Sequence, residues 1–334
     1  MKSLNLNNMN SRERIYKTIN KEKTDRIPAA FWSHFPFEDE TSDGLANAII
    51  NFQNKYDFDL IKITPISGYF AEAYGAKFIK LNSKIDKGSR ECISFPIKKY
   101  TDWEKISEIN VDSHILEREL EVIRIVRKRL GNEILIVQTV PNPLTLAKDL
   151  RSDNLWLDDI KNHPREIMNG LESITKNILK FCLASVDAGA DGIFLFTQVA
   201  SFDLFTEEEY KKFGMKYDLN ILEKLKESLL ILHIHGLNIM FDLLKDYPVD
   251  IFNWHDRLTQ PNLREARKKC KGAFIGGLDE DNVLLNGNIV DVKNQVKNAI
   301  EQTEGEQIII GPGCVLPIDT PEENIFAVKE ALVL

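Results

Sequence analysis

The sequence predicts an α/β fold, a single (β/α)8 TIM barrel over residues 1–334, and three observations carry that expectation. Eight short apolar runs recur along the chain. Segments of helical period separate most of them. No internal repeat or low-complexity linker divides the chain. An open doubly wound sheet is the alternative for the same pattern.

The runs are "IPAAFWSHF" (27–35), "LIKITP" (60–65), "EILIVQTVP" (133–141) and "DGIFLFT" (191–197), then "LLILHIHG" (229–236), "VDIFNWH" (249–255), "GAFIGGLD" (272–279) and "QIIIGPGC" (307–314). Each is rich in Ile, Leu, Val or Phe, and most are bounded by Gly, Pro or Asp. The longest helical segment, 164–190, stops at Gly189 just before a strand. Thr206 is an expected N-cap, with acidic residues in the following turn. Thr320 is another, with Pro321 at the first helical position. The gap between the second and third runs is long. It holds "AKFIKLN" and "CISFPI", which are expected to pair as a hairpin over the barrel mouth, so 68–113 reads as an inserted lid.

Composition narrows the function. There are 43 basic and 51 acidic residues, a net charge of -8, which argues against nucleic-acid binding as the main task. No run of about 18 apolar residues is present, so no membrane span is expected. The N-terminus is polar and lacks the apolar core of a signal peptide, which points to the cytoplasm. Four cysteines without a CxxC pair do not make a disulfide framework. Cys314 is the one expected to be a ligand or nucleophile.

Chemistry in such barrels sits at the C-terminal ends of strands. The reactive side chains expected there are Trp32, His34, Lys62, Gln198, His233, His235, His255, Asp256, Asp279 and Cys314. Strand period puts His233 and His235 on one face and Ile234 on the other, so both imidazoles face the barrel axis. The glycines of "GPGC" allow a tight path at Cys314. Two imidazoles and a thiolate suit zinc, which takes three protein ligands in catalytic sites and leaves a fourth position open. The plainer alternative is hydrogen-bonded core histidines and a buried cysteine. His255 and Asp256 read as an acid–base pair or, for His255, as an alternative ligand. Asp256 could equally pair with Arg257 or cap a helix. Lys62 reads as a shifted lysine or an anion clamp, against a structural ion pair.

The chain also resembles the uroporphyrinogen decarboxylase superfamily over nearly its whole length. The resemblance rests on "RERIYKTINKEKTDRIPAAFW", "PNPLTLAKDL", "GADGIFLFT" with "FTEEEYKKF", and above all "GPGCVLPIDTPEENIFAVKEAL". That superfamily includes tetrapyrrole decarboxylases and corrinoid-linked methyltransferases. The decarboxylase pattern is poorly met. An arginine-rich stretch is expected where "FWSHFPFEDE" stands, and an acid is expected where "KITPIS" stands. The methyltransferase branch resembles the chain better, through an H-x-C pair and a late "PGC". His233 and Cys314 match that pattern, while His235 stands in place of a thiolate. The resemblance implies a zinc-dependent methyl transfer between a corrinoid carrier and a small thiol or methylated substrate. It further implies His255, Asp256 and Asp279 in supporting or proton-carrying roles, Trp32, His34, Lys62 and Gln198 near the substrate, a corrinoid protein as partner, and a homodimer by analogy with the decarboxylases. A decarboxylase and a non-catalytic corrinoid- or tetrapyrrole-binding barrel are the alternatives.

Overall fold

The structure is a computed structural model that describes residues 9–80, 88–111, 114–152 and 154–332. Seven of the eight expected runs form strands of one parallel sheet. They are β1 (Leu60–Ile63), β4 (Leu135–Pro141), β5 (Gly192–Thr197), β6 (Leu229–Ile234), β7 (Ile251–Trp254), β8 (Ala273–Leu278) and β9 (Ile308–Pro312), hydrogen-bonded in that order. Every one is buried along its whole length except for half-buried Phe196 in β5. Such continuous burial is what a parallel sheet covered on both faces requires.

The first run is the exception to the expected eight strands. Residues 28–33 form no strand, but they touch both edges of the sheet. Ala30 N donates to Ile310 O of β9, and Ile310 N donates to Pro28 O. On the other side, Asp59 N donates to Ala29 O. Leu316 N donates to Trp32 O further along. Proline cannot donate a ladder hydrogen bond, so Pro28 breaks the regular pairing where the segment begins.

A buried carboxylate holds this segment in place. Asp59, just before β1, lies 2.6 Å from Arg14 and 2.7 Å from Arg26, and it accepts the Ala29 N–H at 2.9 Å. Arg14 is paired a second time, with Asp25 at 2.7 Å. A bare buried carboxylate would be costly, but here its acceptor sites are filled by two guanidinium groups and an amide.

Strand alternation sorts the core into two clusters. Leu135, Val137, Phe194, Ile231, Ile275 and their neighbours pack against one another inside the curled sheet. Ile136, Leu195, Leu232, Ile234 and Ile310 pack outward against the helices. The outer layer includes the helices Ser42–Tyr56, His114–Leu130, Pro164–Asp187 and Ile289–Thr303. The long helix ends as expected, with Gly189 at φ +115° after it. Thr206 is the N-cap of Glu207–Tyr210, in a capping box with Glu209. The last helix, Glu322–Ala331, starts later than expected, with Pro321 itself at the N-cap. The Thr320 hydroxyl donates instead to Pro317 O at 2.7 Å.

Between β1 and β4 the expected hairpin forms. β2 (Lys77–Lys80) pairs antiparallel with β3 (Arg90–Ser94). Arg90 fastens it to the rest of the molecule, donating to Ser67 O at 2.7 Å and to Glu72 at 2.6 Å. Phe78 packs where a Cβ on Gly68 would lie, and Gly68 has φ +76°, so only glycine suits that position. Among the described residues, no helix is long and apolar enough to cross a membrane.

Replacing Asp59 by alanine leaves the buried Arg14 and the half-buried Arg26 short of a partner and frees the 28–33 segment. The expected loss is about 3–5 kcal/mol, read as a lowered denaturant midpoint in urea unfolding. A loss under about 0.5 kcal/mol, the usual size for an unremarkable surface change, would contradict the anchoring role.

Candidate metal centre

The site is built where the strands end. On β6, Leu230, Leu232 and Ile234 face the helices, so His233 faces inward. Its ring stacks on Phe194 of the inner cluster at 5.7 Å. In the parallel register of β6 and β7, His233 lies beside Asn253. The two side chains meet at 2.6 Å, His233 Nδ1 to Asn253 Oδ1.

That contact fixes the tautomer. Asn253 Nδ2 donates to Ile275 O at 2.9 Å and to Pro312 O at 3.0 Å. Two carbonyl neighbours identify the amide nitrogen, so Oδ1 is the acceptor and His233 Nδ1 must carry the proton. The Nε2 lone pair is left free to act as a ligand.

His235 follows the strand, anchored by its N–H to Thr197 O at 2.9 Å, and Gly236 at φ +100° then turns the chain. Its Nδ1 is 3.3 Å from His255 Nε2 and 3.6 Å from Cys314 Sγ. Cys314 reaches this point because glycines flank it closely. A Cβ on Gly313 would lie 2.8 Å from His255 Cα, and one on Gly311 would lie 2.6 Å from Ala30 O. Neither glycine has positive φ; close approach is what excludes a side chain. The expected "tight path" is therefore a packing requirement.

The ligand atoms of His233, His235, His255 and Cys314 all lie within 4.8 Å of one another. A tetrahedral zinc with bonds of about 2.0–2.1 Å to nitrogen and 2.3 Å to sulfur has ligand-to-ligand edges of roughly 3.3–3.6 Å. The two contacts at His235 match such edges, so the donor set and its spacing fit a zinc-like ion. Protonation favours the same use. Burial raises the Cys314 thiol, but the three surrounding imidazoles outweigh it and hold the thiol well below its usual value. His233 is lowered, chiefly by burial. A thiolate and a neutral imidazole are the forms a metal takes.

His255 joins the cluster as the alternative ligand the sequence allowed. Behind it stands Glu280, almost fully buried, with Oε1 at 2.9 Å from His255 Nδ1, at ion-pair distance though off hydrogen-bond angle. Burial lowers His255, yet Cys314 and Glu280 outweigh that and raise it to about 10. Neither Asn253 nor Glu280 was assigned a role from sequence. The signal for Asn253 was its inward position two residues before His255. Glu280 had none beyond following Asp279.

The cluster lies against a cavity of about 1170 Å³. Trp32, His34, Lys62 and Gln198 border it, as does the hairpin through Phe78, Arg90 and Cys92. Burial and the charge of Lys62 push His34 down to about 4. Gln198 Oε1 accepts from Lys148 at 2.7 Å. Lys62 has no carboxylate within ion-pair distance among the described residues, so the structural ion pair is not what it forms. Burial lowers it to about 7.

Asp256 and Asp279 stand outside the cavity lining. Asp256 Oδ1 accepts from Gly277 N at 2.9 Å, and a Cβ on Gly276 would strike it. Its other oxygen is 3.8 Å from Arg257. Burial raises Asp256 to about 6. Asp279 caps the following helical turn, accepting from Asp281 N and Asn282 N. Both fix the loops that carry His255 and Glu280. The four cysteines are free.

Sheet and cluster together define a parallel α/β protein with a candidate metal centre at the C-terminal edge of its strands. The chain belongs to the uroporphyrinogen decarboxylase (URO-D) family, whose model matches residues 10–333. Within it, the chain is 25% identical to the methylcobamide:CoM methyltransferase MtbA of Methanosarcina acetivorans, over 96% of both chains. It is 28% identical to MtaA of Methanosarcina barkeri over 64% of this chain and 62% of that protein. A uroporphyrinogen decarboxylase of Rickettsia rickettsii is 22% identical over 72% of this chain and 71% of that protein. In structure, a methyltransferase from Methanosarcina mazei superposes with a TM-score of 0.82 at 19% identity, covering 97% of this chain and 98% of that one.

The Asn253 contact is directly testable. Long-range ¹⁵N–¹H correlation spectra of metal-free protein should show His233 as the Nδ1–H tautomer alone. Asn253→Ala should bring in the Nε2–H form, and an unchanged spectrum would remove Asn253 as the orienting group.

Proposed function

We propose that the protein is a methyltransferase. It moves a methyl group between a corrinoid carrier and a small thiol or methylated substrate, with zinc held by His233, His235 and Cys314. The observation that carries this reading is the three-imidazole, one-thiol cluster at the wall of the cavity. The long matches to methylcobamide:CoM methyltransferases support it. We read residues 28–33 as the eighth strand position of a (β/α)8 barrel and 68–113 as a lid on its mouth. A corrinoid protein would dock on that face.

Zinc held by these residues would lower the pKa of a substrate thiol and favour its thiolate, the nucleophile for a corrinoid-borne methyl group. The chain's own residues prepare that step. Asn253 holds His233 with Nε2 facing the cluster. Glu280 sets the orientation of His255 and stands ready to share its proton. Trp32, Phe194 and Phe196 line the cavity and exclude water from the reacting atoms.

Decarboxylation of a tetrapyrrole, the activity of other relatives, finds less support. A substrate with many carboxylates needs several free cations. Arg90 and Lys148 border the cavity, but they already bind Glu72 and Gln198. Arg257 is outside the cavity and bonded to Gly277 O and Gln295 O.

Protein purified without added metal should carry close to one equivalent of zinc. Less than about a tenth of an equivalent, unchanged on reconstitution, would sink the zinc assignment. Cys314→Ala should lose metal and should no longer convert methylcobalamin absorbance to the cob(I)alamin form with any of a panel of thiols. Retained turnover in that variant would favour a metal-free reaction.

A further inference from the structure

Lys62 is a buried lysine with no carboxylate partner among the described residues. It is 8% exposed and borders the cavity. Its Nζ lies 4.7 Å from the Phe194 ring centroid and 5.3 Å from that of Trp32. Among the described residues its hydrogen-bond partner is the Thr64 hydroxyl at 3.5 Å, at the limit of a hydrogen bond. No described carboxylate pairs with it. An ammonium taken from water and given two ring faces, one distant hydroxyl and the charge of the Cys314 thiolate is still poorly compensated, because burial outweighs them. Its lowered pKa is the same fact seen from the proton's side. The neighbouring cations are different, since Arg90 and Lys148 already have partners. Lys62 is therefore where an incoming anion gains most.

The walls around it describe the rest of the ligand. Phe78, Phe95, Trp156, Phe194 and Phe196 line the cavity along with Trp32. Its volume of about 1170 Å³ exceeds the range, about 300–1,000 Å³, that encloses drug-sized ligands. A two-carbon thiol would leave most of that aromatic surface wet. We propose that the cavity binds an organic acid with an apolar body of aromatic size, its acid group seated on Lys62 and its body against Trp32 and Phe194. As the identity of the methyl-transfer substrate, this rests on the reading above. The acid subsite itself needs no metal.

The test is calorimetric titration of the protein as purified and again after chelator treatment. The probes are 3-phenylpropionate, its methyl ester, and acetate. Phenylpropionate should bind at least about tenfold more tightly than the ester, the size of effect expected for a charge-assisted contact, and at least tenfold more tightly than acetate. Lys62→Met should remove the acid–ester difference, and Lys62→Arg should keep part of it. Equal binding of acid and ester overturns the proposal in the wild-type protein, whether or not the methionine variant folds. Equal binding of acetate overturns the aromatic body. Affinity that disappears with the chelator places the acid on the metal and overturns the Lys62 seat. Retained acid binding in protein that never holds zinc would sink the metal reading and leave this one standing.

Discussion

The two edges of the curled sheet are bridged by a segment that is barely a strand, and the rest of the structure depends on that bridge. Residues 28–33 make two backbone hydrogen bonds to Ile310 of β9, one to Leu316 beyond it, and one to Asp59 just before β1. Asp59 supplies the missing hold by gathering Arg14, Arg26 and the Ala29 amide on one carboxylate. Because the charges are buried and mutually satisfied, the group resists loosening in a way an exposed pair would not. The cavity depends on it, since Trp32 lies in this segment, His34 just past it, and Lys62 just past Asp59 on β1.

Within the ring, the metal-type cluster is a product of register. β6 and β7 set His233 beside Asn253, and the Asn253 amide reaches carbonyls of β8 and β9. One side chain thus spans the strands that deliver His233, His255 and Cys314. The close approach of Gly311 and Gly313 lets the β9 end sit near enough for the thiol to meet the imidazoles. Asp256 and Asp279 tie down the adjoining loops through backbone amides. Small local rules of strand period, caps and close-packed glycine together produce a convergent set of donors.

The parts of this arrangement that follow from local pattern were legible in the sequence. Seven of eight runs became strands, and alternation alone put His233 inward and Ile234 outward. The hairpin between β1 and β4 was legible as well. What local pattern cannot carry was missed. The first run reads as a strand by composition, yet Pro28 and its position between two edges reduce it to bridges. The role of Asn253 depends on inter-strand register, which one strand's sequence does not contain. Asp279 reads as a reactive strand tip, but an aspartate before a helical turn is drawn to its free N–H groups. The partner of His255 proved to be Glu280, the next residue.

Glu280 bears on the charge balance of the whole centre. The family resemblance expects two thiolates and an imidazole, which would neutralise a divalent ion outright. Here His235 replaces one thiolate, so a divalent ion held by the cluster keeps one positive charge. The Glu280 carboxylate, buried behind His255, can return that charge from outside the ligand set. Neutrality is then reached through an imidazole relay instead of a second sulfur. An ion held there would remain a stronger Lewis acid at its surface, while its long-range field would be nearly cancelled.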